Sequence, residues 1–191
     1  MNKEKSKIIR PALVCIIVMT IICGIIYPAI VTVAAQLCFK DKANGSIIRV
    51  KLKDGNVVNY GSEFIAQEFT EAKYIIGRPM TETYGPTNLS PVGGDQDKLV
   101  KERINWWHEL DPQNDKDIPM DLLTVSGSGV DPHISVDAAQ YQVGRIARER
   151  SIKEEEVRKI IFNNTKKKTF GVLGEDRVNV LMVNLELDGL I

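Results

Sequence analysis

The chain has 191 residues, and its 25 lysines and arginines are balanced by 25 aspartates and glutamates, which excludes the strongly basic surface of a nucleic-acid-binding protein. The length that remains after an apolar start is enough for one compact domain and too short for two ordinary ones. Cys15, Cys23 and Cys38 all lie within this apolar start or at its outer end, so the sequence predicts no disulfide in the domain.

No charged side chain occurs from Pro11 to Phe39, and a basic segment precedes this stretch. A helix of about 20 apolar residues spans a bilayer, whereas the apolar core of a cleaved signal has about 7–15. The length therefore predicts a retained transmembrane helix over residues 11–39, although Val33-Ala34-Ala35 resembles a cleavage site. The excess of Lys and Arg in residues 1–10 predicts a cytoplasmic tail there and an extracytoplasmic domain over residues 40–191.

Every fourth position of one stretch of this segment carries a small residue, a hydroxyl-bearing residue or proline: Thr20, Gly24, Pro28 and Thr32. Gln36 continues the series. Small residues at this spacing let another helix approach closely, so this stripe predicts packing against other membrane helices. The alternative is that membrane helices tolerate Thr, Gly and Pro at any position. Pro28 has no N–H to donate to the carbonyl of Gly24, which predicts a bend in the helix.

The first part of the domain is predicted to be a β-hairpin over Asn44–Tyr60. Ile47–Leu52 is strand-like, and Asp54-Gly55 supplies a turn before the next apolar pair. The short apolar run Phe64–Phe69 fits a strand or a helical turn equally well. From Arg78 to Gly94 the chain is rich in Pro, Gly, Thr, Ser and Asn, which predicts a loop without regular structure.

Helices are predicted for most of the remaining chain. The first covers Asp95–Leu110, the second runs from Ser135 to about Glu149, and a capping box at Ser151–Glu154 opens a third. The last spans Asn179–Leu190 and is strongly apolar. The sequence therefore predicts an α+β domain, rich in helix, with a small β-hairpin or sheet.

Two details of these helices can be tested against the structure. Val157, Ile160 and Ile161 should form the buried side of the third helix. Of the adjacent Trp106 and Trp107, one is expected inside the domain and the other at a contact surface.

The strongest candidate for chemistry is a glycine-rich loop that leads into a helix start, Ser126-Gly127-Ser128-Gly129-Val130-Asp131-Pro132-His133-Ile134-Ser135. It lacks the Gly-x-Ser-x-Gly pattern of a nucleophile elbow, and its Ser, Asp and His are crowded within about ten positions, unlike a triad assembled from distant residues. It also lacks the Gly-Lys-Ser/Thr ending of a phosphate-binding loop. The residues themselves therefore predict no catalytic group.

A metal site is not predicted either, because His108 and His133 are the only histidines and no paired cysteines or carboxylates have ligand spacing. The ring of His133 is expected to bond to the backbone of its loop. The basic run Lys166–Lys168 is expected to be a solvated turn between two elements.

Several short runs occur in an order that carries a family resemblance: Arg10-Pro11-Ala12-Leu13-Val14, Tyr27-Pro28, Ala43-Asn44-Gly45-Ser46, the glycine-rich loop, and Arg177-Val178-Asn179-Val180-Leu181. Shorter pieces fall between them: Gly61-Ser62 followed by Ile65 and Gln67, Tyr74 with Gly77-Arg78-Pro79, and Tyr141-Gln142-Val143 before Arg145. Over essentially its full length the chain resembles the C subunit of the Kdp-type potassium-transporting ATPase of bacteria and archaea.

The resemblance implies a single-span, non-catalytic subunit in the cell membrane of a prokaryote. Its partners would be a channel-like potassium-binding subunit, a P-type ATPase subunit and a very small membrane subunit. The subunit would hold the complex together and act as a catalytic chaperone that raises the ATP affinity of the ATPase subunit. It would have no cofactor of its own, and ATP would be bound by, or shared with, the ATPase subunit.

The resemblance also implies a nucleotide contact at Gln142 and at the loop residues Ser126, Gly127, Ser128 and Gly129. The alternative for Gln142 is an ordinary amide on a helix surface or at a helix cap. The predicted outward topology places this site away from cytoplasmic ATP. The chain departs from the family over Tyr84–Gly93, where many members have a longer stretch, so partner contacts of that loop do not carry over.

Two other classes of function remain open. An anchored binding or sensing module fits the topology, although the inner tail is too short for a signalling domain. An anchored hydrolase would require Ser126 or Ser128 to be reactive.

Overall fold

The computed structural model describes residues 3–191, with side chains from Ile8 onwards. Met1 and Asn2 of the predicted cytoplasmic tail lie outside the described residues. The chain forms two compact units, Met1–Ser46 and Ile47–Ile191. The second unit combines helices with two small antiparallel sheets, which confirms the α+β prediction.

The first unit contains the only helix among the described residues that is long and apolar enough to span a bilayer, Ile8–Cys38, with a mean hydropathy of 2.7. It comprises α1 (Lys3–Ile21), a π-helical turn at Ile22–Ile26 and α2 (Tyr27–Cys38), and the short α3 (Lys40–Ala43) follows. The apolar side chains of this helix are mostly exposed, which is typical of a segment that lipid or a partner covers.

The second unit begins with the predicted hairpin, which the structure confirms. Strands β1 (Ile47–Lys51) and β2 (Val57–Ser62) pair antiparallel. Gly55 in the turn has a φ of 88°, a left-handed conformation that glycine adopts without a Cβ penalty. The carboxylate of Asp54 accepts the N–H of Asn56 at 2.9 Å and closes the turn.

Residues 63–93 contain neither helix nor strand, so the apolar run Phe64–Phe69 adopts neither of its two predicted forms. The predicted loop before Gly94 is confirmed, and helix α4 (Gly94–Leu110) follows it. Trp107 is 2% exposed and Trp106 is 38% exposed, so one tryptophan is inside as predicted.

The rest of the unit alternates short strands with helices. Strands β3 (His133–Ser135), β4 (Thr165–Lys166) and β5 (Arg177–Asn179) form a second antiparallel sheet in the order β3-β5-β4. A 3-10 turn at Met120–Leu122 precedes the sheet, and the helices are α5 (Val136–Tyr141), α6 (Val143–Arg150), α7 (Glu154–Asn163) and α8 (Val180–Leu187).

The core is formed where these helices and β5 meet, and its largest apolar members include Ile75, Trp107, Leu122, Ile146, Ile161 and Val178. Burying one such side chain contributes roughly 1.5–3 kcal/mol, so this cluster is the main source of stability. A smaller cluster of Val50, Leu181 and Leu185 joins the hairpin to α8. The buried side of α7 is confirmed for Val157 and Ile161, which are 0% and 1% exposed, whereas Ile160 is partly buried against the same cluster.

Two helix predictions need correction. The predicted second helix is divided at Gln142 into α5 and α6. The capping box is wrong: α7 begins after Lys153, and Ser151 instead ends α6 in a left-handed conformation with φ 55°. Its N–H bonds to the carbonyl of Arg148, so the preceding helix end, rather than the following helix start, determines its conformation.

The prediction of a solvated turn at Lys166–Lys168 is wrong for its first residue. Lys166 lies in β4, and its ammonium group pairs with the carboxylate of Glu63. Lys167 is exposed and pairs with Asp176 at 3.0 Å. Partners distant in the chain therefore order part of this run.

Candidate functional site

The serine-glycine loop, Ser126–Asp131, is held by hydrogen bonds from its own backbone. The hydroxyl of Ser126 accepts the N–H of Gly129 at 2.9 Å and that of Asp131 at 3.4 Å. The hydroxyl of Ser128 accepts the N–H of Val130 at 3.2 Å. Both hydroxyls therefore serve turn structure, which is the ordinary use of serine in such loops.

Gly129 is where the loop touches another segment. It has a φ of 75°, and a Cβ built on it would lie 2.3 Å from the carbonyl carbon and oxygen of Gly85. The loop thus lies directly against the long segment that precedes α4. Only a residue without a side chain fits this close approach.

His133 lies just after the loop, and its expected bond to the backbone is not what the structure shows. Its Nδ1 is 3.4 Å from a carboxylate oxygen of Asp131, and its Nε2 is buried without a partner. Burial lowers the pKa of His133, while the Asp131 carboxylate acts in the opposite direction. The ring is therefore mostly neutral near pH 7 and stays paired with Asp131.

A polar contact that the sequence reading missed fixes the start of α5. The carboxylate of Asp121 accepts the backbone N–H of Ser135 at 2.7 Å and its hydroxyl at 3.2 Å. The Ser135 hydroxyl in turn accepts the N–H of Ala138 at 3.0 Å as the helix cap. The Ser at the helix start was visible in the sequence, but nothing local indicated Asp121 as its partner.

Gln142 lies between α5 and α6 and is 0% exposed. Its Oε1 accepts the N–H of Ile76 at 2.8 Å and an N–H of Arg145 at 2.7 Å. Its Nε2 donates to the carbonyls of Ile76 at 2.9 Å and Ala138 at 3.2 Å. Two acceptor lone pairs and two donors are the full capacity of an amide, so no atom of it is left for a ligand in this conformation.

Asn184 of α8 makes the equivalent contact with Ile75, the residue before Ile76. Its Oδ1 accepts the N–H of Ile75 at 2.8 Å, and its Nδ2 donates to the Ile75 carbonyl at 2.9 Å. Asn184 is 2% exposed and was missed as a site residue. An asparagine within an otherwise apolar helical face was the available signal, since a buried amide needs partners.

Arg145 and Arg78 extend this set of contacts. Arg145 is 1% exposed and donates to the carbonyls of Ala72 and Tyr74, and burial lowers its pKa to about 10. It therefore stays charged at neutral pH. Arg78 donates to the carbonyl of Thr124 at 3.2 Å and to that of Val125 at 3.3 Å, directly before the serine-glycine loop.

The serine-glycine loop and the cavity beside it do not fit a nucleoside triphosphate. A phosphate-binding loop presents free backbone N–H groups and a basic residue, whereas the N–H groups of Gly129, Val130 and Asp131 already bond to serine hydroxyls. A cavity of about 520 Å³ next to His133 has more acidic than basic side chains in its lining, namely Asp121, Asp131, Glu175 and Asp176 against Arg78 and Arg177. The nucleotide contact at Gln142 and Ser126–Gly129 therefore stays a prediction.

Hydrolysis and metal binding receive no support from this geometry. The hydroxyls of Ser126 and Ser128 accept backbone N–H groups, while the imidazole of His133 pairs with Asp131. A nucleophile needs its base within hydrogen-bonding distance. In the part of the chain that the structure describes, no group of His, Cys, Asp and Glu side chains is placed to hold a metal ion.

In the apolar helix, the predicted stripe meets the π-helical turn. The N–H of Tyr27 bonds to the carbonyl of Ile22, five residues back, one residue before Pro28. An every-fourth-residue series overshoots the 3.6-residue turn of an α-helix, and a wider π turn compensates for that drift. Thr20, Gly24 and Pro28 therefore lie closer to one face than in an uninterrupted α-helix, and their packing role stays a prediction.

Comparison with known proteins gives a match along almost the whole chain. The family model KdpC, described as K+-transporting ATPase, c chain, matches residues 9–189. The chain is 52% identical over 188 residues to the potassium-transporting ATPase KdpC subunit of Listeria innocua, covering 98% of both chains. It is 47% identical over 200 residues to the protein of the same name from Clostridium perfringens, covering 97% of this chain and 98% of that one.

Proposed function

The chain belongs to the KdpC family, the c chains of potassium-transporting ATPases, and from this premise we propose how it serves its pump. It is an accessory subunit that performs no catalysis itself. It stabilises the complex of a channel-like potassium-binding subunit, a P-type ATPase subunit and a small membrane subunit. It also raises the ATP affinity of the ATPase subunit, as a catalytic chaperone.

One observation carries the assembly role: both units of the chain leave apolar surface uncovered. The membrane helix exposes nearly all of its apolar side chains. In the second unit, the apolar tip, defined as residues 169–173, exposes Phe170 by 90%, Val172 by 77% and Leu173 by 61%. Apolar groups left in water at such a density are typical of surfaces that a partner covers.

The backbone of the apolar tip is closed by its own hydrogen bonds, while its apolar side chains are exposed. The N–H of Thr169 bonds to the carbonyl of Leu173 at 2.9 Å, and the N–H of Leu173 bonds back at 3.0 Å. Phe170 has a φ of 54°, an uncommon conformation for an aromatic residue. An exposed residue held in such a conformation favours a binding role.

Charge next to the tip favours a protein partner over an anionic lipid surface. Lys166 pairs with Glu63, and Lys167 pairs with Asp176 at 3.0 Å. These pairs neutralise two of the three lysines next to the tip, which would otherwise attract acidic lipids. We therefore assign the apolar tip to a contact with a partner subunit of the pump.

The proposed topology places residues 1–10 in the cytoplasm and the second unit outside the cell membrane of a prokaryote. Arg10 and the basic residues before it support this orientation through the positive-inside rule. The ATP affinity would then be raised through contacts with the partner subunits, because the nucleotide is on the other side of the membrane.

The test is a pull-down from membranes through a tag on the carboxyl end, followed by a potassium-stimulated ATPase assay. We expect larger membrane subunits to be recovered together with that activity. The KM for ATP of the pump should be lower with this subunit than without it. Recovery of the chain alone, without ATPase activity, would refute the assembly role and favour an anchored binding module.

A further inference from the structure

The backbone groups of Ile75 and Ile76 are hydrogen-bonded by two side-chain amides that belong to different parts of the chain. Asn184 of α8 exchanges both backbone hydrogen bonds with Ile75, and Gln142 exchanges both with Ile76. All of these distances are between 2.8 and 2.9 Å. Each amide replaces a neighbouring β-strand, which would exchange the same pair of bonds with one residue.

The two amides are needed because Ile75 and Ile76 belong to no helix or strand and are 0% and 8% exposed. Backbone groups buried at this depth must find partners, since an unsatisfied one is costly. Arg145 adds to the same hold by donating to the carbonyl of Tyr74 at 3.1 Å. We call this set of contacts by Gln142, Asn184 and Arg145 the amide clamp.

The amide clamp is connected to the serine-glycine loop through Arg78. Only Gly77 separates Ile76 from Arg78, whose guanidinium donates to the carbonyls of Thr124 and Val125. The loop begins at the next residue. A shift of the clamped segment therefore moves the guanidinium that holds the start of this loop.

We infer that Gln142 is a positioning residue: with Asn184 it fixes Ile75 and Ile76, and through Arg78 it fixes the serine-glycine loop. We assign to Gln142 an effect on ATP affinity that passes through this chain of contacts rather than through contact with nucleotide. This last step rests on the proposed chaperone function, whereas the clamp itself does not.

The first measurement is hydrogen exchange in the assembled pump, read from peptides covering residues 72–78 and 124–130. Gln142→Ala and Asn184→Ala should each make both peptides exchange roughly 10- to 100-fold faster, because each leaves buried backbone groups of one isoleucine without partners. Gln140→Ala and Asn163→Ala are the matched controls, since these side chains bond to Arg158 and Glu186 at the surface. In these two control variants, the peptides covering residues 72–78 and 124–130 should exchange at the original rate.

The second measurement is the KM for ATP of the same pumps. Asn184 belongs to the clamp through Ile75 alone. The clamp therefore predicts that Gln142→Ala and Asn184→Ala both raise KM, with little change in kcat. A nucleotide contact at Gln142 predicts that only Gln142→Ala raises it.

Each outcome bears on one part of the inference. Unchanged exchange of residues 72–78 in Gln142→Ala overturns the clamp. A KM raised by Gln142→Ala, with Asn184→Ala at the original KM although its exchange is faster, overturns the positioning role in favour of nucleotide contact. If a pump lacking this subunit has the original KM, the chaperone function fails while the exchange data still decide the clamp. If that pump has a raised KM and both alanine variants keep the original KM, transmission through the clamp is wrong.

Discussion

Gly129→Ala provides a sharp test of the close approach between the serine-glycine loop and Gly85. The left-handed backbone at φ 75° costs a residue with a Cβ about 1–2 kcal/mol. The new Cβ would lie 2.3 Å from the carbonyl of Gly85, and backbone displacement of this kind costs about 1–3 kcal/mol more. We therefore expect a loss of about 2–5 kcal/mol in the free energy of unfolding.

Two other glycines separate these contributions. Gly174 has a φ of 77° with nothing within 4 Å of a built Cβ, so Gly174→Ala should show the conformational cost alone. Gly127 also has open space and no left-handed φ, so Gly127→Ala should change stability by less than about 0.5 kcal/mol. The difference between Gly129→Ala and Gly174→Ala then measures the clash.

The assay is thermal unfolding of the full chain in detergent, followed by circular dichroism. For a domain of this size each kcal/mol lowers Tm by about 2–4 °C, so Gly129→Ala should lower it by roughly 5–15 °C. A Tm for Gly129→Ala equal to that of Gly174→Ala would mean that Gly85 does not lie against the loop, and the geometry described for this site would be wrong.

Three further predictions concern the apolar surfaces and His133. Replacing both Phe170 and Leu173 by Ser should reduce co-purification of partner subunits. Tm should not fall, because these side chains are 90% and 61% exposed. Full recovery of the partner subunits would contradict the docking role. Gly24→Leu or Pro28→Leu should weaken association with the partners in detergent, and unchanged co-purification would count against the small-residue stripe. Because burial lowers the pKa of His133 below 6.5, its contribution to stability should be complete above that pH and decline as the pH falls through it. Tm measured from pH 8 to 5 should show this decline in the original chain, and a His133→Asn variant that declines equally would assign it to other groups.

Features fixed by neighbouring residues were predictable from the sequence. The uncharged run after Arg10 indicates a span because bilayer thickness sets the necessary length. The turn at Asp54-Gly55 was predictable because both its hydrogen bond and its positive φ belong to residues within the turn. Helix α4 was predicted to within one residue of its start, since its apolar spacing is local.

The errors occur where two local signals compete or where a partner is distant. Ser151 satisfied a helix-start pattern, but it also follows α6, whose end it completes in a left-handed conformation with φ 55°. Lys166 was expected to be solvated, yet Glu63 pairs with it from 103 positions away. Neither outcome follows from the nearest residues, because both depend on which segment passes close by.

Gln142 shows this division most clearly. The sequence placed this amide inside a single predicted helix from Ser135 to about Glu149. Only the tertiary structure decided that the amide is buried and bonds to Ile76, 66 positions away, while Asn184 takes Ile75 from 109 positions away. The physical reason is that an amide bonds equally well to water, ligand or backbone. Its actual partner depends on which of these the packed chain places within about 3 Å.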